Sequence, residues 1–282
     1  MQQLLPPTMR SQIFGGEKER RIFTNALDEV HSLYGEMNKQ LVTPDIDVVW
    51  ALSTPGTVKE PASFPEGEKD NPYEGTMFNK GTIVRSVEIV LEVTALRLGK
   101  PVSGVTREDV ALHGPTLYYN GESEQNPGTR FPQQNQHFLE LSQQQDFPIP
   151  PEKVVICPII EVNTPGQVKQ LAEYLTGKLP DTRKVAVVHG VPHAARTGRY
   201  LEKYKGDFPE STTMVPFLVD QNEKGNQSRL AVLEAGKAAI YGAKGDLDAR
   251  SSFFGEDGPQ HPRPRIDLRG DLRQKGLLPK PR

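Results

Sequence analysis

Thiols are almost absent from this chain. Its one cysteine, Cys157, excludes an internal disulfide and any zinc site built from several cysteines. Cys157 stands beside an apolar run, where a small buried hydrophobe is the expected reading rather than a reactive thiol. Neither sign of charge dominates: 34 Lys and Arg stand against 36 Asp and Glu, a formal net charge of −2. That balance excludes a nucleic-acid-binding surface spread over the whole protein. Long apolar runs are missing too, and none approaches the roughly 20 residues that span a bilayer. The opening "MQQLLPPTMRSQ" lacks the apolar core of a signal peptide, so a cytoplasmic chain without a transmembrane segment is expected.

What is plentiful is Gly and Pro, 25 of each in 282 residues, so long loops are expected around a modest core. Residues 17–40 place Ile22, Phe23, Ala26, Leu27, Val30, Leu33, Tyr34 and Met37 on one stripe of an amphipathic helix. "DIDVVWALS" (45–53) is a continuous apolar run, the pattern of a strand buried on both faces. Residues 58–77, rich in Pro, Gly and acids, read as a long excursion, and 82–99 as a helix closed by Gly99. "DVALHG" (109–114) and "TLYY" (116–119) read as a strand-like region, and about 132–145 as a Gln-rich helix. Thereafter strand-like runs at "PPEKVVICPII", "RKVAVVHG" and "TTMVPFLV" alternate with helical patterns at "NTPGQVKQLAEYLTGKLP", "HAARTGRYLEKY" and "NQSRLAVLEAGKAAIYG". This alternation predicts an α/β fold, a Rossmann-like three-layer αβα sandwich with a mostly parallel sheet. The expected domains are a helical extension at 1–44, the α/β domain at 45–245 and an irregular Pro/Arg-rich tail at 246–282.

In such a sheet ligands bind where the strands' carboxyl ends meet loops and helix N-termini, so the turns after each run are the candidates. After the first, Ser53, Thr54, Gly56 and Thr57 are small enough to bring backbone N–H groups against an anion, although the segment also suits an ordinary turn. Asn120-Gly121 stands next; Asn-Gly is equally a hairpin signal. In "EVNTPGQ", Thr164 and Gln167 fit a helix-capping box, which leaves Glu161 and Asn163 at the strand exit unexplained. In "VVHGVPHAARTGRY", His193 falls near a helix N-terminus, which favours neutral imidazole, with Arg196 and Arg199 on the same face. Together they could hold a carboxylate or phosphate; they could equally cap backbone groups and form ion pairs. His189 and His193 straddle a strand–helix junction, so their spacing is not that of two metal ligands on one helix face.

These turns, in order, resemble the YdcF/SanA/ElyC-like family of bacterial α/β domains of unknown function. The resemblance rests on "LSTPGT" in place of a Gly-rich turn, on Pro150 to Gln167, and on the strand and helix "KVAVVHGVPHAARTGRYL". It implies a Rossmann-like sandwich and a site at Ser53, Gly56, Glu161, Asn163, Thr164, His193 and Arg196. It also implies S-adenosylmethionine as a cofactor to test. The expected function is therefore binding of, or chemistry on, an anionic, phosphorylated or nucleotide-like small molecule. His193 is the acid/base candidate and Glu161 its helper. The alternative is a non-catalytic interaction module that uses the N-terminal helix and the basic tail.

Overall fold

The computed structural model describes residues 5–36, 40–52, 77–120, 138–140, 142–157, 164–219 and 227–247. Its elements in chain order are α1 (Pro7–Gly15), α2 (Glu17–Glu36), β1 (Val48–Leu52), α3 (Met77–Leu98), α4 (Arg107–His113), β2 (Thr116–Asn120), β3 (Val154–Ile156), α5 (Thr164–Lys178), β4 (Lys184–Gly190), α6 (Val191–Lys203), β5 (Thr213–Val219) and α7 (Gln227–Lys244). They fall into two compact units. A sheet unit comprises Gln40–Gly190 and Gly206–Val219, and a helical unit comprises Met1–Lys39, Val191–Lys205 and Asp220–Arg282.

The fold is α/β and Rossmann-like. Five parallel strands of the sheet unit lie in the order β3-β2-β1-β4-β5. All five residues of β1 are buried, as a central strand covered on both faces requires. Val49, Ala51, Leu117, Tyr119, Ala186, Val188 and Phe217 share one core with Ile89, Val90 and Val93 of α3 and Val110 of α4. Because side chains alternate across a strand, Trp50 and Tyr118 face the other way. There the Tyr118 ring meets Tyr174 of α5 at 5.0 Å between centroids. Helices on both faces complete the three layers within this unit. Each fully buried large apolar side chain contributes roughly 1.5–3 kcal/mol to that arrangement.

At the amino edge Arg97, near the end of α3, donates to the carbonyls of Pro44 (2.8 Å), Ile46 (2.8 Å) and His113 (2.7 Å). One guanidinium thus ties α3, the entry to β1 and the exit of α4 together. Gly99, at φ 63°, closes α3 as expected, with Lys100 N–H on the Ala95 carbonyl at 3.1 Å.

Residues 109–114 are not a strand. The alternation Val110-Ala111-Leu112 lies in α4, which starts from a capping box: Thr106 Oγ1 accepts from Asp109 N–H, and the Asp109 carboxylate accepts from Thr106 N–H. Helix α2 ends its described course at Glu36, and α5 begins at Thr164 itself. Of the Gln-rich helix expected at 132–145, residues 138–140 and 142 are helical, and 143–146 are turns and bends. Of the excursion expected at 58–77, residue 77 already opens α3; its remainder, the loop 121–137 and the tail from 248 lie outside the described residues.

The helical unit joins α1, α2, α6 and α7. The α2 stripe is buried at Ile22, Phe23, Ala26, Leu27, Val30 and Leu33, and α7 answers with Ala231, Val232, Ala235, Ala238 and Ala239. Helix α1 approaches α7 at Gly236, where a Cβ would meet Leu5 Cδ2 at 2.9 Å and Met9 Cε at 3.2 Å. A small residue is what lets these two helices come together.

Candidate functional site

The chain turns to opposite sides of β1 on leaving β1 and on reaching β4. The strand order therefore reverses between them, and this is the topological switch point of a doubly wound sheet. At its carboxyl edge Leu52 pairs with Asn120 of β2, and His189 of β4 pairs with Leu218 of β5. The last pair of β1 with β4 is Ala51 with Val188, so Leu52 and His189 each stand one residue further toward the carboxyl edge. His189 is fully enclosed, and burial pushes its imidazole down to about 3 against a hydrogen bond with the Gly190 backbone. It stays neutral throughout the physiological range. The sequence drew attention to His189 only to set aside a metal.

Asn120 and Gln167, both expected at the ligand, lie together and buried, and they bond to each other's backbone. Gln167 Nε2 donates to the Asn120 carbonyl at 2.9 Å, and Asn120 Nδ2 donates to the Gln167 carbonyl at 3.1 Å. The Asn120 amide oxygen accepts from Trp50 Nε1–H at 2.9 Å. These amides bind the first turn of α5 to the carboxyl ends of β1 and β2. Thr164, three residues before Gln167, is buried too. Just after β3 the Cys157 thiol donates to Gln170 Oε1 at 2.7 Å, and burial pushes the Tyr118 hydroxyl up, with Cys157 as its neighbour. Cys157 is a buried free thiol. Trp50 and Gln170 escaped the sequence reading, since nothing local marks partners 70 and 13 residues away.

Helix α6 carries His193, Arg196 and Arg199, all buried. Arg196 Nε donates to Glu234 Oε2 at 2.7 Å, and the other oxygen of Glu234 accepts from Lys237 Nζ at 2.6 Å. Arg199 pairs with Glu29 of α2 and also donates to the Ala195 carbonyl at 2.6 Å. Burial raises the Glu234 carboxyl, but the charges of Arg196, Lys237 and His193 prevail and hold it down to about 2. An anion arriving at either arginine meets a carboxylate already there. Glu29 and Glu234 were legible in principle. Glu29 is seven residues beyond Ile22, and Glu234 three beyond Ala231, so both stand on inward helical stripes.

The structure thus brings Asn120 to Gln167 and joins Arg196 and Arg199 to separate glutamates. Ser53, Thr54, Gly56, Thr57, Gly121, Glu161 and Asn163 lie outside the described residues. Among the described residues no group of three or more His, Cys, Asp or Glu could hold a metal ion. No helix among them is long and apolar enough to cross a membrane. No protein-family model, curated protein or solved structure matches the chain, so nothing in those comparisons connects it with the YdcF/SanA/ElyC-like family.

Proposed function

We propose that this protein binds a nucleotide-like or phosphorylated small molecule at the carboxyl edge of its parallel sheet. The observation that supports the reading is the reversal of strand order between β1 and β4, the position at which open α/β sheets take ligands. In this reading Ser53, Thr54, Gly56 and Thr57, which follow β1, cradle the anionic part through backbone N–H groups. Glu161 and Asn163, which follow β3, take hydroxyl or amino groups. His193, the acid/base candidate of the sequence, belongs to the helical unit, so the reading rests on the sheet unit's own residues. S-adenosylmethionine is the cofactor that the family resemblance adds to the candidates, and the setting is cytoplasmic. The two arginines of α6 draw less support as anion ligands, because Glu234 and Glu29 already balance them. The rival reading, an interaction module using the N-terminal helix and the basic tail, draws none from α2, whose apolar stripe is buried, and its tail lies outside the described residues.

The experiment is a thermal-shift screen over adenine nucleotides, S-adenosylmethionine and sugar phosphates. A true ligand at about 100 times its Kd stabilises by roughly 2.7 kcal/mol, a shift of several degrees. Gly56→Val should remove that shift and leave the unliganded Tm in place. A panel in which no compound raises Tm, or a shift unchanged by Gly56→Val, contradicts the proposal.

A further inference from the structure

Asn120 belongs to the only Asn-Gly pair of the sequence, and the proposed binding role does not account for that pair. Glycine is the follower that least hinders an asparagine side chain from closing on the next peptide nitrogen. In that reaction the peptide nitrogen after Asn120 attacks Cγ and gives up its proton to water, while the amide nitrogen leaves as ammonia. Water then opens the cyclic imide at either carbonyl and leaves aspartate or isoaspartate.

Three hydrogen bonds within the sheet unit hold the parts that must move. The Asn120 amide nitrogen, the leaving group, donates to the Gln167 carbonyl at 3.1 Å. The amide oxygen accepts from Trp50 Nε1–H at 2.9 Å. The main-chain carbonyl of Asn120 shares a plane with the attacking nitrogen, and it accepts from Gln167 Nε2 at 2.9 Å. Amide and peptide plane are both fixed, and Asn120 is 2% exposed, so ring closure requires the first turn of α5 to part from β2.

We propose that Asn120 is a self-modification site, converted to aspartate or isoaspartate when α5 opens and guarded by Gln167 while it is closed. Aspartate loses the donor to the Gln167 carbonyl and sets a carboxylate oxygen against it, a buried charge facing an acceptor. Isoaspartate adds a carbon to the main chain at the last pair of β1 with β2, Leu52 with Asn120. Neither product reverts on closing, so each opening carries a chance of loosening the carboxyl edge for good. Trp50 is the chain's one tryptophan and touches the reacting amide, so its emission reports the change.

The test incubates the full chain in mildly alkaline buffer without ligand and follows conversion at Asn120 by peptide mass mapping. Urea-unfolded chain should convert at least about tenfold faster than native chain. Native Gln167→Met, which lacks one buried hydrogen bond, should convert about fivefold faster than native wild type. Should Gln167→Met fail to fold, the wild-type rate in sub-denaturing urea decides, and it should climb with urea. Native chain converting as fast as unfolded chain, a folded Gln167→Met matching wild type, or a rate flat across urea overturns the guarding role. An unfolded chain that keeps its asparagine overturns the site. Converted protein should melt at a lower Tm with shifted Trp50 emission, and an unchanged Tm and emission overturn its effect on the edge.

Discussion

Two buried arginines decide much of the chemistry at the scale of single residues. Arg199 and Glu29 are 3% and 8% exposed, so each has given up most of its hydration and depends on the other. Removing one partner strands the second as an unpaired buried charge, a loss of roughly 3–5 kcal/mol. Arg199→Met should cost about that much in urea unfolding, and Arg199→Met combined with Glu29→Met should recover most of it, since two apolar side chains then replace the pair. A double variant as unstable as the single one would show that Arg199 is held by something other than Glu29. At this scale the sequence was half legible. It marked His193, Arg196 and Arg199 as unusual on a helix, because three polar side chains one turn apart ask for a purpose. The partners of the two arginines come from α2 and α7, some 40 to 170 positions away, and only packing brings them in. Asn120 and Gln167 carried a second reading, turn and cap chemistry, and the observed bonds place their amides against backbone and indole.

Elements were more legible, and for a physical reason. A strand covered on both faces needs a continuous apolar run, and "VVWAL" and "VAVV" leave little else to choose. Helices α5, α6 and α7 follow from their 3.6-residue period. The failure at residues 109–114 shows where this stops. Val110 and Leu112 alternate with smaller or polar residues as a strand would, but Thr106 and Asp109 stand three apart ahead of them. Reciprocal side-chain bonds at that spacing satisfy two N–H groups that only a helix leaves orphaned, and the local signal outweighs a two-residue alternation. Thr106→Ala should therefore cost about 1 kcal/mol and raise amide exchange through α4 first. Exchange unchanged in α4 would mean that packing of Val110 alone holds the helix.

At the scale of the molecule, the sheet unit has the strand order of a doubly wound parallel sheet. Its amino edge is tied by Arg97, and its carboxyl edge carries an enclosed neutral imidazole at the switch point. The helical unit gathers α6 and α7 with the two N-terminal helices, a grouping that sequence order did not suggest because those segments are separated by some 150 residues. The central claim concerns the sheet: that its carboxyl edge between β1 and β4 is where a small molecule binds. Backbone amide chemical-shift mapping with the strongest compound of the screen tests it most directly. The account predicts the largest changes at Leu52 to Thr57, Asn120 and His189–Gly190. Changes confined to the amino edge around Arg97, or to α1, α2 and α7, would contradict it.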